Sequence, residues 1–103
     1  MNEEFLKNIK VAHFVGIGGV GTSAVARMLL ARGVSVSGSD REPSPNTEKL
    51  IAEGIKVFFG HDRANVPPDC DLVAYSPAVK MDNPELVVAA ERGIQVFSYP
   101  RVL

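Results

Sequence analysis

The sequence lacks the features that mark several large classes of protein. Its 103 residues include one cysteine and no tryptophan, so no disulfide can form within the chain, and the disulfide framework of small secreted domains is excluded. The apolar runs are short and interrupted by glycine or charge, well below the roughly 20 apolar residues of a membrane-spanning helix. The start, MNEEFLKNIK, is polar and carries no signal-peptide segment. Together these absences predict a cytoplasmic protein.

An excess of charge of either sign is also absent. The 11 Lys and Arg residues nearly balance the 12 Asp and Glu residues, giving a formal net charge of −1. A duplex nucleic-acid partner would require a basic face, so the composition gives no support for one. Hydrophobic residues make up 46% of the chain, enough to form a core, and the length suits one domain.

Short apolar runs alternate with segments of helical spacing along the chain. Strands are predicted at residues 11–16, 34–39, 56–59, 71–75 and 94–98. Helices are predicted at 20–32, 46–53 and 83–92, with Asn46 or Thr47 capping the second and Asn83 the third. Residues 1–9 form a polar leader with a short helical turn, and residues 60–70 are irregular. This alternation predicts an α/β fold, a Rossmann-like three-layer domain with a five-stranded parallel sheet.

The segment GIGGVG at positions 16–21 contains a G-x-G-x-x-G pattern with one additional glycine, Gly19. The first glycine of such a loop permits a tight turn, the second lets the backbone approach a phosphate, and the third allows close helix packing. The helix that follows points its unpaired N–H groups and positive dipole end at an anion. The loop therefore predicts a diphosphate site, and the alternative is a glycine-rich turn that binds nothing.

Asp40 ends the second predicted strand, about 20 residues beyond the loop, where the fingerprint expects an acid that contacts a ribose. An aspartate there also suits the simpler role of capping a turn. The ribose of NAD would satisfy Asp40 as well as the ribose of another nucleoside diphosphate, so these residues leave the nucleotide open. The sequence has no G-x-x-x-x-G-K-[ST] segment, so it cannot hold ATP and Mg²⁺ in the manner of a P-loop.

Several further motifs carry a resemblance. The segments HFVGIGGVGTSAVA, VSGSD, GHDRANV, YSPAV, NPE and RVL resemble, in order and spacing, the amino-terminal domain of the Mur ligases. The similarity is strongest to the branch that joins L-alanine to UDP-N-acetylmuramate. It implies that residues 1–103 form the domain that binds the UDP moiety of that substrate in peptidoglycan precursor synthesis. The final YPRVL leads us to expect that a longer chain continues beyond it.

The resemblance also implies partners and site residues. The full-length ligase would use ATP and Mg in a central domain and would also have a carboxy-terminal domain, whereas this domain alone would hold no cofactor and no metal and would be inactive. Backbone amides of the loop would face the diphosphate, and residues at the ends of the second, third and fourth strands would surround the uridine. The implied substrate-binding residues are Gly18, Gly19, Val20, Gly21, Ser39, Asp40, His61, Ser76, Pro77 and Ala78.

One residue and one short segment depart from the family pattern. Thr22 replaces the methionine that commonly follows the last glycine of the loop, and the segment from Tyr75 to Val79 replaces a Ser-Ser-Ala-Ile segment. Two hypotheses of other classes remain beside the ligase domain. One is a free-standing NAD-binding domain, either a dinucleotide sensor or a dehydrogenase fragment, and the other is a purely structural module. The motifs after the third and fourth strands favour the ligase.

The remaining polar residues have simpler interpretations. His13 lies within an apolar strand and is expected to be a buried, hydrogen-bonded core histidine. The segment Asn83-Pro84-Glu85 is explained as the start of a helix. Cys70 is expected to be a small buried or loop thiol. No pair of residues has the pattern of an acid–base or nucleophilic catalyst, so no catalytic residue is predicted.

Overall fold

A computed structural model describes residues 3–102 of the chain. Five strands form one parallel sheet in the order β3-β2-β1-β4-β5, and they are β1 (Val11–Val15), β2 (Ser35–Asp40), β3 (Lys56–Phe59), β4 (Leu72–Tyr75) and β5 (Gln95–Ser98). The α-helices are α1 (Glu3–Lys7), α2 (Val20–Ala31), α3 (Pro45–Ala52) and α4 (Pro84–Glu91). Short 3-10 helices cover Arg63–Asn65 and Tyr99–Val102. Met1, Asn2 and Leu103, at the ends of the predicted leader and of the YPRVL segment, lie outside the described residues.

The sheet carries one hydrophobic core on each face. Because successive strand residues point to opposite faces, Phe14 packs with Leu29 of α2, while its neighbour Val15 packs with Val73 and with Ala89 of α4. All five side chains are fully buried. Helices on both faces of a parallel sheet make three layers, and the predicted five-stranded Rossmann-like fold is confirmed.

The predicted elements exist, and most of their boundaries are correct within one residue. The cap of α3 is different. Ser44 caps this helix, since its Oγ accepts from the amide of Thr47 at 3.2 Å while Thr47 Oγ1 accepts from the amide of Ser44 at 2.8 Å. The prediction of Asn46 or Thr47 was therefore wrong, because Pro45 already occupies the first turn, where its missing N–H costs nothing. The side chain of Asn46 is thereby left available for other contacts.

The carboxyl end of β1 turns sharply back toward β2. Gly16 has φ +79°, in the left-handed region that glycine adopts without strain, and its amide donates to the carbonyl of Ser39 at 2.9 Å. This turn brings the glycine loop beside the carboxyl end of β2. Within residues 3–102, no helix has the length and apolar composition needed to cross a membrane.

Gly38 provides a test of the close packing between β2 and the glycine loop. A Cβ at this position would lie 2.6 Å from the carbonyl oxygen of Phe14 and 2.5 Å from Cδ1 of Ile17. Because the backbone of Phe14 cannot move freely, Gly38→Ala is expected to lower the free energy of unfolding by about 1 to 3 kcal/mol, measured by urea denaturation. Ser35→Ala, at the exposed start of the same strand, is the control. Equal stability of the two variants would show that β2 is not packed this tightly.

Candidate functional site

A crevice of about 590 Å³ opens at the carboxyl ends of β1, β2, β3 and β4. Open α/β sheets bind ligands at this edge, where the loops after the strands converge. Each of the loops that follow these strands contributes to the walls. The lining residues are Gly16, Gly19, Asp40, Arg41, His61, Ser76, Ala78, Val79, Lys80, Asp82 and Asn83.

Five of the ten residues predicted for substrate binding line this crevice: Gly19, Asp40, His61, Ser76 and Ala78. They come from four separate loops, and the fold brings them to one place. Sequence spacing alone does not show this convergence, because it depends on the strand order. The expectation that these loops surround one ligand thus has a geometric basis.

The other five predicted residues lie outside the lining. Gly18 donates its amide to Asp40 Oδ2 at 2.7 Å, and Ser39 is completely buried. Val20 exposes 87% of its surface to solvent, and Pro77 is exposed beside the crevice. Gly21 is covered by the ring of Tyr99, which occupies the space that a Cβ would need. This close contact, rather than packing of α2 on a strand, explains the last glycine of the loop.

The amino terminus of α2 offers unpaired backbone donors. The first hydrogen bond into the helix runs from the amide of Ser23 to the carbonyl of Gly19 at 2.8 Å, so the amides of Val20, Gly21 and Thr22 precede it and have no acceptor within the helix. The side-chain hydroxyl of Thr22 is buried and has no hydrogen-bond partner among the described residues. Unpaired donors at a helix amino terminus favour an anion.

Two side chains hold the glycine loop from opposite sides. Asp40 accepts the amide of Gly18, and Asn46 Nδ2 donates to the carbonyl of Gly18 at 2.8 Å and to Ser23 Oγ at 2.9 Å. Arg27 in turn donates to Asn46 Oδ1 at 3.3 Å. Both polar groups of Gly18 are therefore used within the protein, and its role in this structure is to fix the loop.

Sequence reasoning missed two cations. Arg41 directly follows β2, Lys80 lies in the loop after β4, and both line the crevice. Asp40 and Asp82 also line it, so the walls carry charges of both signs. Neither cation belongs to a recognisable motif, and the only signal in the sequence is their position shortly after a strand end.

Beneath the crevice lies a buried polar cluster centred on Glu85, a residue of the first turn of α4. Its carboxylate is completely inaccessible. Oε1 lies 2.5 Å from His13 Nε2 and accepts from Ser39 Oγ at 2.8 Å. Oε2 accepts from the amide of Asp62 at 3.1 Å and from Asn65 Nδ2 at 3.0 Å. Four donors, from β1, from β2 and from the segment after β3, thus converge on one carboxylate.

The cluster continues at both ends. His13 Nδ1 lies 2.8 Å from Ser37 Oγ, so both ring nitrogens of this buried histidine have partners, in agreement with its predicted role as a core residue. His61 Nδ1 lies 2.9 Å from Ser39 Oγ and 3.5 Å from Glu85 Oε2. Because His61 also lines the crevice, the cluster connects the interior of the sheet with the candidate site.

The environment keeps Glu85 ionised. Burial by itself raises the pKa of this carboxyl, but hydrogen bonds from His13, Asn65 and Ser39 outweigh that effect and leave its pKa below the usual 4.5. The prediction that Asn83-Pro84-Glu85 starts a helix is confirmed, because Asn83 caps α4 by accepting the amide of Glu85 at 2.9 Å. The burial of the Glu85 side chain, which points into the core, is an additional role that the sequence did not indicate.

The buried thiol of Cys70 has no comparable role. Burial is the main reason that the pKa of Cys70 rises to about 11, and its Sγ lies 3.2 Å from the carbonyl of Leu72. A thiol with so high a pKa is a poor nucleophile at neutral pH. This agrees with the expectation that Cys70 is a small buried residue.

Replacing Glu85 tests how strongly the cluster stabilises the fold. Glu85→Gln puts an amide donor among four existing donors, so the free energy of unfolding is expected to fall by about 3 kcal/mol at pH 7. Glu91→Gln is the matched control, since it makes the same change at an exposed position of the same helix, and it should cost less than about 0.5 kcal/mol. Equal losses in urea denaturation would contradict the stabilising role.

The same carboxylate makes stability depend on pH. Because the pKa of Glu85 is lower in the folded than in the unfolded chain, it contributes stability above pH 4.5, and that contribution is lost as the pH falls through the folded-state pKa. The stability difference between wild type and Glu85→Gln should therefore narrow in acid. A difference that stays constant down to pH 3, about one and a half units below the ordinary value, would contradict this.

Comparison with known proteins identifies the family. The model of the Mur ligase family, catalytic domain, matches residues 11–103. The UDP-N-acetylmuramate–L-alanine ligase of Clostridium tetani is 44% identical over 95% of this chain and 21% of its own length. The ligase of the same name from Carboxydothermus hydrogenoformans is 47% identical over 88% of this chain and 20% of its own length. The chain therefore spans about a fifth of the curated relatives that it matches.

Solved structures give the same result. The UDP-N-acetylmuramate–alanine ligase of Thermotoga maritima superposes with a TM-score of 0.84 at 40% identity, covering 91% of this chain and 21% of that one. Shikimate dehydrogenase from Aquifex aeolicus, with a TM-score of 0.61 at 18% identity over 91% of this chain and 44% of that one, shares the fold alone. The match of the family model over nearly the whole chain and the identity to these ligases show that this chain belongs to the Mur ligase family.

Proposed function

We propose that this chain is the UDP-binding domain of a UDP-N-acetylmuramate–L-alanine ligase. It binds the UDP moiety of UDP-N-acetylmuramic acid, an early precursor of peptidoglycan. The observation that carries the proposal is the crevice at the strand ends, which joins the amino terminus of α2 to two cations, in a chain 44% identical to such ligases.

The diphosphate fits the end of the crevice beside α2. The amides of Val20, Gly21 and Thr22 supply donors there, and Gly19 lines the wall without a side chain. Arg41 and Lys80 add positive charge for a group that carries about two negative charges. This assignment removes the amides of Gly18 and Gly19 from the phosphate contacts implied by the family resemblance, because they already donate to Asp40 and Gly16. It adds the amide of Thr22.

The nucleoside fits the side of the crevice formed by Asp40, His61, Ser76 and Ala78. Oδ2 of Asp40 accepts the amide of Gly18 and Oδ1 accepts the amide of Arg41 at 2.8 Å. Each carboxylate oxygen can accept a second hydrogen bond, so Asp40 can hold the glycine loop and a ribose hydroxyl together. Ser39 is buried and contacts His61 rather than the ligand. Pro77 shapes the loop beside the crevice.

The chemistry of ligation belongs to other parts of the enzyme. The sequence contains no P-loop to hold ATP and Mg, so we assign activation of the muramoyl carboxylate by ATP to the central domain and part of the amino-acid binding to the carboxy-terminal domain. Residues 1–103 then form one substrate-binding domain of a cytoplasmic enzyme and contain no catalytic residue.

A free-standing NAD-binding domain is not favoured. The glycine loop and Asp40 fit NAD in principle, and the fold is shared with a dehydrogenase. The curated relatives described above, however, are ligases at 44% and 47% identity, whereas the likeness to the dehydrogenase is 18%.

Titration of the purified chain by calorimetry tests the proposal directly. UDP-N-acetylmuramate and UDP should bind at least tenfold more tightly than NAD, equivalent to about 1.4 kcal/mol. Tighter binding of NAD than of UDP-N-acetylmuramate would overturn the proposed function.

Gly19 offers a variant that separates binding from folding. Its φ of −65° and ψ of 149° suit any residue, and a Cβ there would meet Thr22 Oγ1 at an ordinary 3.4 Å. Gly19→Val should therefore leave stability within about 1 kcal/mol and weaken UDP binding about tenfold or more by filling the phosphate end of the crevice.

The matched control for Gly19→Val adds a branched side chain at the far end of the same helix. Ala31→Val lies at the exposed carboxyl end of α2 and should bind UDP as the wild type does. Unchanged UDP affinity in Gly19→Val would show that the diphosphate lies elsewhere. Gly18→Val is less informative, because a Cβ there would lie 2.6 Å from Asp40 Oδ2 and disturb the loop itself.

A further inference from the structure

We propose that Glu85, acting through Ser39, fixes the proton of His61 on Nδ1, so that His61 Nε2 presents a hydrogen-bond acceptor to the crevice. This side of the crevice then selects a ligand that offers an N–H or O–H donor. Glu85 and Ser39 are positioning residues in this scheme, and His61 touches the ligand. The inference rests on the proposed function and specifies which groups of a nucleoside diphosphate the site can recognise.

The direction of the hydrogen bonds in the cluster is set by Glu85. An ionised carboxylate only accepts hydrogen bonds, and its buried oxygens are met by donors from the backbone of Asp62 and from the side chains of Asn65, Ser39 and His13. Because the group is completely buried, no water competes for these positions. Each of its neighbours is therefore forced to point a hydrogen toward it.

Ser39 connects Glu85 to His61 and thereby determines the direction of the next hydrogen bond. A serine hydroxyl has one hydrogen, and Ser39 donates it to Glu85 Oε1 at 2.8 Å. Toward its other neighbour, His61 Nδ1 at 2.9 Å, the oxygen of Ser39 can then only accept. The full burial of Ser39 leaves no solvent acceptor to which its hydrogen could turn.

His61 completes the sequence. To make its 2.9 Å contact with Ser39 Oγ, Nδ1 must carry the hydrogen. The opposite tautomer would set the lone pair of Nδ1 against an oxygen lone pair of Ser39 and against Glu85 Oε2 at 3.5 Å. In a neutral imidazole with a hydrogen on Nδ1, Nε2 is an acceptor. The ring is 18% exposed and lines the crevice, and with Nδ1 turned inward, Nε2 is turned toward the crevice.

A uridine nucleotide has two kinds of donor that fit such an acceptor, the imide N–H of the base and the ribose hydroxyls. Cytosine has an unprotonated ring nitrogen at the position of the imide N–H, so it would place a lone pair against Nε2. Loss of one hydrogen bond in this setting corresponds to about a tenfold change in affinity.

The tautomer can be read in the free protein by long-range ¹H–¹⁵N correlation spectra at about pH 8, above the ordinary titration range of imidazole. The chain has two histidines, and His61→Asn assigns their signals. The expected result is a hydrogen on Nδ1 of His61. A predominant hydrogen on Nε2 would overturn the proposal, whatever ligand the chain binds.

Titrations with UDP, CDP and 2′,3′-dideoxy-UDP identify the donor. CDP should bind about tenfold more weakly than UDP if the imide N–H contacts His61. The dideoxy compound also loses its contact with Asp40, so a ribose contact of His61 is recognised by a loss of affinity that is about tenfold larger in the wild type than in His61→Asn. Equal affinity for UDP and CDP, together with a dideoxy loss that is the same in His61→Asn as in the wild type, would overturn the selection of a donor while leaving the proposed function intact. If UDP does not bind at all, the proposed function is wrong, and the selection of a donor is wrong with it. The measured tautomer of His61 then still tests whether Glu85 and Ser39 position its proton.

Ser39→Ala tests the transmission without removing the pair between Glu85 and His13. It should give a mixture of His61 tautomers and reduce the part of the discrimination that depends on His61 from about tenfold to about twofold. Ser35→Ala, at the exposed start of the same strand, should change neither. Retention of the Nδ1 tautomer and of full discrimination in Ser39→Ala would show that Ser39 does not set the polarity of His61.

Discussion

The candidate site depends on one buried negative charge. Glu85 reaches from α4 under the sheet edge and gathers hydrogen bonds from β1, from β2 and from the loop after β3. A carboxylate in the interior is stable only where donors surround it, so the position of each donor is constrained by the same group. The loop after β3 contains two prolines and one short 3-10 helix. The backbone amide of Asp62 and the side chain of Asn65 attach this loop to Glu85. The hydrogen bonds that stabilise this buried charge thereby also fix the wall of the crevice that contains His61.

The glycine loop is ordered by a second, more exposed set of contacts. Asp40 and Asn46 hold the two polar groups of Gly18 from β2 and α3, so the loop is fixed by the elements that follow it in sequence. The amides at the start of α2 are thus left pointing out of a rigid frame, which reduces the entropy lost when an anion binds. Asp40 belongs both to this frame and to the crevice, and it couples the position of the loop to the nucleoside end of the site.

Much of the fold was predictable because its determinants are local. Apolar runs of β-branched residues predicted the five strands, and the glycines that follow the helices predicted where the helices end. Ser44 was missed as a cap because Asn46 and Thr47 are also good capping residues, and Pro45 decides among them. Half of the predicted site lines the crevice, since residues after neighbouring parallel strands meet at one edge. Glu85 could not be assigned from the sequence, because its partners His13, Ser39 and Asn65 are far apart in the chain and meet only through the order of the strands. Arg41 and Lys80 belong to no motif and become visible only as walls of the crevice.

A crystal structure of the chain with UDP-N-acetylmuramate would test the central claim most directly, namely that the ordered crevice is a UDP site. The account predicts diphosphate oxygens within hydrogen-bond distance of the amides of Val20, Gly21 and Thr22. It also predicts a nucleoside N–H or O–H that donates to Nε2 of His61, while Glu85 stays buried and hydrogen-bonded to Ser39 and His13. A diphosphate bound away from the start of α2, or a nucleoside that presents only acceptors to His61, would contradict it.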